Sequence, residues 1–97
     1  MTTPEKRIYD GNRAKELLEN EVFQQVFADI ENEVTEEWKK SPKRDVEGRE
    51  KLHQYLSILH KFKAQVTTTL ETGKLAQMEL AHKSKAQQVK EYISGNW

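Results

Sequence analysis

The stretch LHQYLSILHKFKAQV, residues 52–66, decides how the rest of the chain is read. Leu52, Tyr55, Leu59, Phe62 and Val66 alternate at spacings of three and four residues, and Leu56 and Leu70 widen the stripe. This is the pattern of a helix with one apolar face, close to a heptad seam. A seam of this kind needs a second stripe to cover it. The sequence supplies one upstream, where Phe23, Phe27, Ile30, Val34 and Trp38 fall on one face at about 100° per residue, with Val26 beside them.

The signals between the two stripes favour an antiparallel hairpin. Lys39 and Lys40 suit the end of a helix, and Ser41 precedes Pro42, which biases it away from helical angles. Residues 41–45 (SPKRD) form a short connection, and Asp45 is placed to cap a helix that Glu47 and Glu50 support and Gly48 weakens. Before the first stripe, Asn20 is placed to cap a helix over 21–40. Leu17 and Leu18 lie off its face, so a separate short helix is expected over 12–19, with Asn12 as its cap. Pro4 and Gly11 mark residues 1–11 as irregular, anchored by Ile8 and Tyr9. Phe27 and Leu59 are expected to be buried between the two long helices.

Past Leu70 the pattern changes sense. Thr67, Thr68, Thr69 and the Thr72-Gly73 step interrupt it, and Leu75, Met78, His82, Ala86, Val89 and Ile93 then line up on nearly the opposite side. Either the helix breaks near residue 73 and the tail folds elsewhere, or it runs unbroken over 46–94. The unbroken version, preferred here, is about 73 Å long at 1.5 Å per residue and must project from so small a body. The expected fold is therefore all-α within one domain, residues 1–97: an antiparallel helical hairpin with a short N-terminal helix and a long, projecting C-terminal helix.

Composition narrows the functional classes. The chain has 97 residues, 33% charged and 35% hydrophobic, with no cysteine, so disulfides and zinc–thiolate sites are excluded. No apolar run approaches the roughly 20 residues that span a bilayer, and the N-terminal residues lack a signal-peptide core. Sixteen acids balance sixteen Lys and Arg, but they are laid end to end. Residues 1–38 carry ten acids against four bases, and residues 39–97 six acids against twelve bases, a balance of −6 followed by +6. Like-charged blocks seek an opposite partner. The acidic segment is expected to lie beside the basic one, in the same chain or in a neighbouring copy. The sharper alternative is an acidic face, centred on Glu31, Glu33, Glu36 and Glu37, that mimics a nucleic-acid backbone.

Nothing in the sequence points to catalysis. His53 and His60 are about 10 Å apart along a helix, too far to share one metal, and His82 lies on the tail stripe. There is no phosphate loop, nucleophile elbow or isolated acid pair, so no catalytic residue, metal ligand, cofactor or small-molecule substrate is expected. The basic turn Lys39, Lys40, Lys43 and Arg44 is able to touch phosphates but lacks interleaved aromatics beyond Trp38, so it reads first as a charged hairpin tip. The candidate partner interface is the tail: Leu75, Met78, His82, Val89, Tyr92, Ile93 and Trp97, with Trp97 as a docking anchor.

Three segments carry a resemblance: GNRAKELLENEVFQQVF (11–27), WKKSPKRDVEGREKL (38–52) and LETGKLAQ (70–77). Together they resemble a family of small helical proteins encoded by tailed bacteriophages and prophages, over about residues 11–80. The resemblance implies virion assembly or genome packaging, in the host cytoplasm or the virion, with further copies or other phage proteins as partners. It transfers no catalytic signature. Two functions are therefore expected to compete: a structural protein that associates through helices, and an acidic-faced binding protein that inhibits a host nucleic-acid-binding enzyme.

Overall fold

In a computed structural model of the chain, three helices follow one another: α1 (Pro4–Glu19), α2 (Glu21–Lys40) and α3 (Val46–Gly95). The structure describes the backbone of residues 2–95 and the side chains of residues 2–83. The architecture is all-α, with α2 and α3 forming the antiparallel hairpin and α1 packed on α3 beyond the start of α2. None of the described helices is long and apolar enough to cross a membrane.

Two breaks set this topology, and both are made by side-chain oxygens. Asn20 leaves the helix with φ −69° and ψ 122°; its Oδ1 accepts from the Phe23 N–H at 2.9 Å and its own N–H donates to the Leu17 carbonyl. The Gln24 amide also donates to the Leu18 carbonyl at 2.7 Å, so one side chain from α2 satisfies an end group of α1. At the turn, the Ser41 hydroxyl and N–H both donate to the Trp38 carbonyl, at 2.6 and 3.2 Å. Asp45 then caps α3 by accepting from the Gly48 N–H at 3.1 Å.

The N-terminal residues depart from expectation. α1 starts at Pro4, not at Asn12, because Thr3 caps it and accepts from the Lys6 N–H at 3.1 Å, while Pro4 fits the first turn, whose N–H needs no helical partner. Gly11 does not break α1. It sits where α1 crosses α3, and a Cβ there would lie 2.8 Å from Gly73 Cα and 3.3 Å from the Thr69 carbonyl. A Cβ on Gly73 would meet the Arg7 carbonyl and Gly11 Cα, both at 2.8 Å. Neither glycine adopts a positive φ. Both serve close backbone approach, and Ala14 and Ala76 complete the buried crossing at 7% and 0% exposure. That approach also explains why α3 passes through 73 unbroken. The Thr67, Thr68 and Thr69 hydroxyls donate to the carbonyls of Lys63, Ala64 and Gln65, at 3.0, 3.0 and 3.1 Å, so the threonine run stays helical.

Packing between α2 and α3 is looser. Phe27 is buried at 5% exposure, and Phe23, Val34, Leu52, Leu56, Leu59 and Val66 are half-buried. Tyr55 and Phe62, read as part of the seam, are 61% and 51% exposed. The face of α3 that meets α2 is thus rotated toward Leu52, Leu56 and Leu59. The molecule is a rod of 80 × 26 × 17 Å with a radius of gyration of 22.0 Å. A globular chain of this length has a radius near 13 Å.

Candidate functional site

Three surfaces carry enough chemistry to interact with something: the tail strip, the side of the helix pair formed by α2 and α3, and the basic turn. On the tail strip, Leu75 is 59% and Met78 67% exposed, and His82 is exposed beside them. They lie on the side of α3 away from α1, because Thr69, Gly73 and Ala76, which face α1, point about 100–220° around the helix from them. The structure therefore brings Leu75, Met78 and His82 together on one open strip. The side chains of Val89, Tyr92, Ile93 and Trp97 lie outside the described residues.

Sequence periodicity did not reveal the second surface. Val22, Val26 and Ile30 share one strip of α2, at 71%, 49% and 39% exposure. On α3, Tyr55, Ile58 and Phe62 share another, with Ile58 at 65%. The Phe23 ring joins the two strips, lying 6.2 Å from Phe27 and 6.4 Å from Phe62. The opposite side of the pair is closed by a hydrogen bond of 2.8 Å between Glu31 Oε2 and His60 Nε2. Ile58 stands outside the three–four pattern, so its exposure was the one available signal of this second strip.

The charges divide in an unexpected way. Glu31–His60 is the one ion pair joining α2 to α3 among the described residues; Arg7–Glu79, at 3.9 Å, joins α1 to α3. The remaining pairs lie within single helices, including Glu36–Lys39 at 3.4 Å. Lys6 donates to Asp10 at 2.8 Å, and this bond raises the ammonium pKa above its ordinary value. Of the expected acidic face, Glu31 is taken by His60 and Glu36 by Lys39, while Glu33 and Glu37 are exposed with no basic group within 4 Å among the described residues. The acidic and basic halves lie side by side in the hairpin with only this single bridge.

At the turn, Arg49 stacks over the Trp38 ring at 4.4 Å, a cation–π contact that orders both side chains. Lys40, Lys43 and Arg44 are exposed around it. A cavity of about 240 Å³ between α2 and α3 is lined by Val34, Trp38, Leu52, His53 and Leu56. It is open and smaller than the roughly 300–1,000 Å³ of pockets that enclose small ligands. Among the described residues no group of three or more His, Asp or Glu side chains is placed to hold a metal ion. The surface chemistry is that of long apolar strips bordered by charge, suited to other helices. No protein-family model matches the chain, and neither a curated protein nor a solved structure is significantly similar to it.

Proposed function

We propose that the chain is a non-enzymatic assembly component that binds its neighbours through helix faces, with the Leu75–Met78–His82 strip as its docking surface. One observation carries the reading: large apolar side chains are mostly outside. The accessible surface is 8214 Å², whereas a folded monomer of 11.4 kDa is expected to expose about 5,800 Å². The difference, about 2,400 Å², falls in the range that obligate interfaces bury. A rod that keeps Leu75, Met78, Tyr55, Ile58 and Phe62 in water gains free energy by covering them with other helices.

The resemblance to small phage and prophage proteins supports a virion-assembly or packaging setting for this activity. Light scattering on the full chain tests the assembly reading: it is expected to give species larger than a dimer, and Leu75→Glu with Met78→Glu is expected to reduce them. A mass unchanged by that pair of substitutions overturns the reading. Presence of the chain in purified particles tests the phage setting separately.

The second reading, an inhibitor that places its acidic face on a basic site, is supported by the unpaired Glu33 and Glu37. It predicts binding to a basic enzyme that weakens steeply with salt and with Glu33→Gln and Glu37→Gln.

A further inference from the structure

We infer that the apolar side of the α2–α3 pair is covered by a second copy of this chain, related by a two-fold axis parallel to the helices, with α2 of each copy lying on α3 of the other. The inference rests on the assembly reading and specifies one of its interfaces. The occupant follows from charge. On this side of the pair, the strip Val22–Val26–Ile30 is bordered on α2 by Asp29 and Glu33, and the strip Tyr55–Ile58–Phe62 is bordered on α3 by Lys51 and Lys61. None of these four makes an ion pair within the chain among the described residues. The surface is therefore an acidic edge, an apolar centre and a basic edge. A surface of that form is complementary to itself.

Orientation follows as well. A two-fold axis perpendicular to the helices lays α2 on α2 and opposes two acidic edges. An axis parallel to them lays the acidic edge on the basic one. It also keeps each residue at the height of its antiparallel partner within the hairpin, a height fixed by the Phe23–Phe62 and Trp38–Arg49 contacts. Ile30 of one copy then meets Ile58 of the other, and Glu33 meets Lys51. The α1 helix limits the length of the interface. It covers the same side of α3 from Thr69 through Ala76, so the open strip ends where α1 begins. A parallel partner places its α2 just short of that point, with each α1 continuing the column that the partner's α2 starts.

The absence of cysteine makes the test direct. Chains carrying Ile30→Cys and chains carrying Ile58→Cys are mixed and oxidised; disulfide-linked dimers are expected in the mixture and at least ten-fold less in either variant alone. Glu33→Lys is expected to raise the dimer dissociation constant about ten-fold, and adding Lys51→Glu to the same chain to restore it. Dominant cross-linking of Ile30→Cys to itself, or no recovery in the charge-reversed double variant, overturns the arrangement. The Leu75→Glu, Met78→Glu variant separates the two readings. If it stops at a dimer, both stand; if it is monomeric, this interface fails while the assembly reading holds.

Discussion

A single methyl group probes the tightest joint of the molecule. Replacing Gly11 by Ala adds a Cβ 2.8 Å from Gly73 Cα, and Gly73→Ala adds one 2.8 Å from the Arg7 carbonyl. Backbone atoms cannot rotate away as side chains do, so the helices must separate. The substitution gains about 1 kcal/mol of helix propensity and costs about 1–3 kcal/mol or more of overpacking. Each variant is expected to be less stable on balance, with a midpoint lower by several degrees in thermal unfolding followed by circular dichroism. Phe27 and Phe62 make the complementary test. Phe27 is 5% and Phe62 51% exposed. Phe27→Ala is expected to cost about 3 kcal/mol in urea unfolding, and Phe62→Ala less than half of that in dilute solution. The seam pattern by itself ranked the two alike. Spacing locates a stripe, but the centre of the stripe depends on the neighbour's side chains, which is why Tyr55 and Phe62 turned out at the edge.

The individual helices were legible wherever a break had a local chemical cause. Asn20 caps α2 in the structure as its position before Glu21 implied, and the Ser41–Asp45 connection lies between α2 and α3 as read from Pro42 and the two lysines. The start of α1 was missed because Pro4 and Gly11 signal irregularity in isolation. Thr3 turns the first into a favourable N-terminal proline, and α3 gives the second a tertiary reason that no local window contains. The same applies to Gly73, the expected break. A glycine that ends a helix and one that lets another helix approach look alike until the partner is known. The Asn20 cap carries its own prediction. Asn20→Ala removes the bond to the Phe23 N–H and is expected to cost about 1 kcal/mol in chemical denaturation, with little change in total helicity. Asn20→Asp is expected to retain most of that stability.

For the molecule as a whole, an unbroken α3 of 50 residues was expected from the refusal of its two stripes to share one side. The tail strip was likewise visible, since Leu75, Met78 and His82 follow simple helical spacing. The side formed by Val26, Ile30, Ile58 and Phe62 was not, because it exists only once α2 and α3 are set at a particular rotation. Charge was legible as a sum and misleading as a contact map: −6 followed by +6 led to expected pairing, and the hairpin delivers one bridge, Glu31–His60. Opposed blocks without internal pairs predict that association responds to ionic strength. Sedimentation at low and high salt is expected to show weaker association at high salt, with far-UV circular dichroism unchanged, since exposed charges are screened while the buried α1 crossing is not. Truncation after Lys83 is expected to leave the three packed segments folded, because Gly73 and Ala76 are retained, and to lower the association state.

The two joints of the rod also differ in how much sequence change they tolerate. Gly11, Ala14, Gly73 and Ala76 hold α1 against α3 by having almost no side chain, so each admits essentially one size of residue. Between α2 and α3 the half-buried side chains leave room, and Leu, Ile, Met or Phe can stand in for one another at modest cost. In a saturation library selected for folded chains, the four small positions are expected to reject nearly every substitution, while Val34, Leu52 and Leu59 accept several. The residues that contribute least apolar surface are then the ones under the strictest constraint on sequence drift.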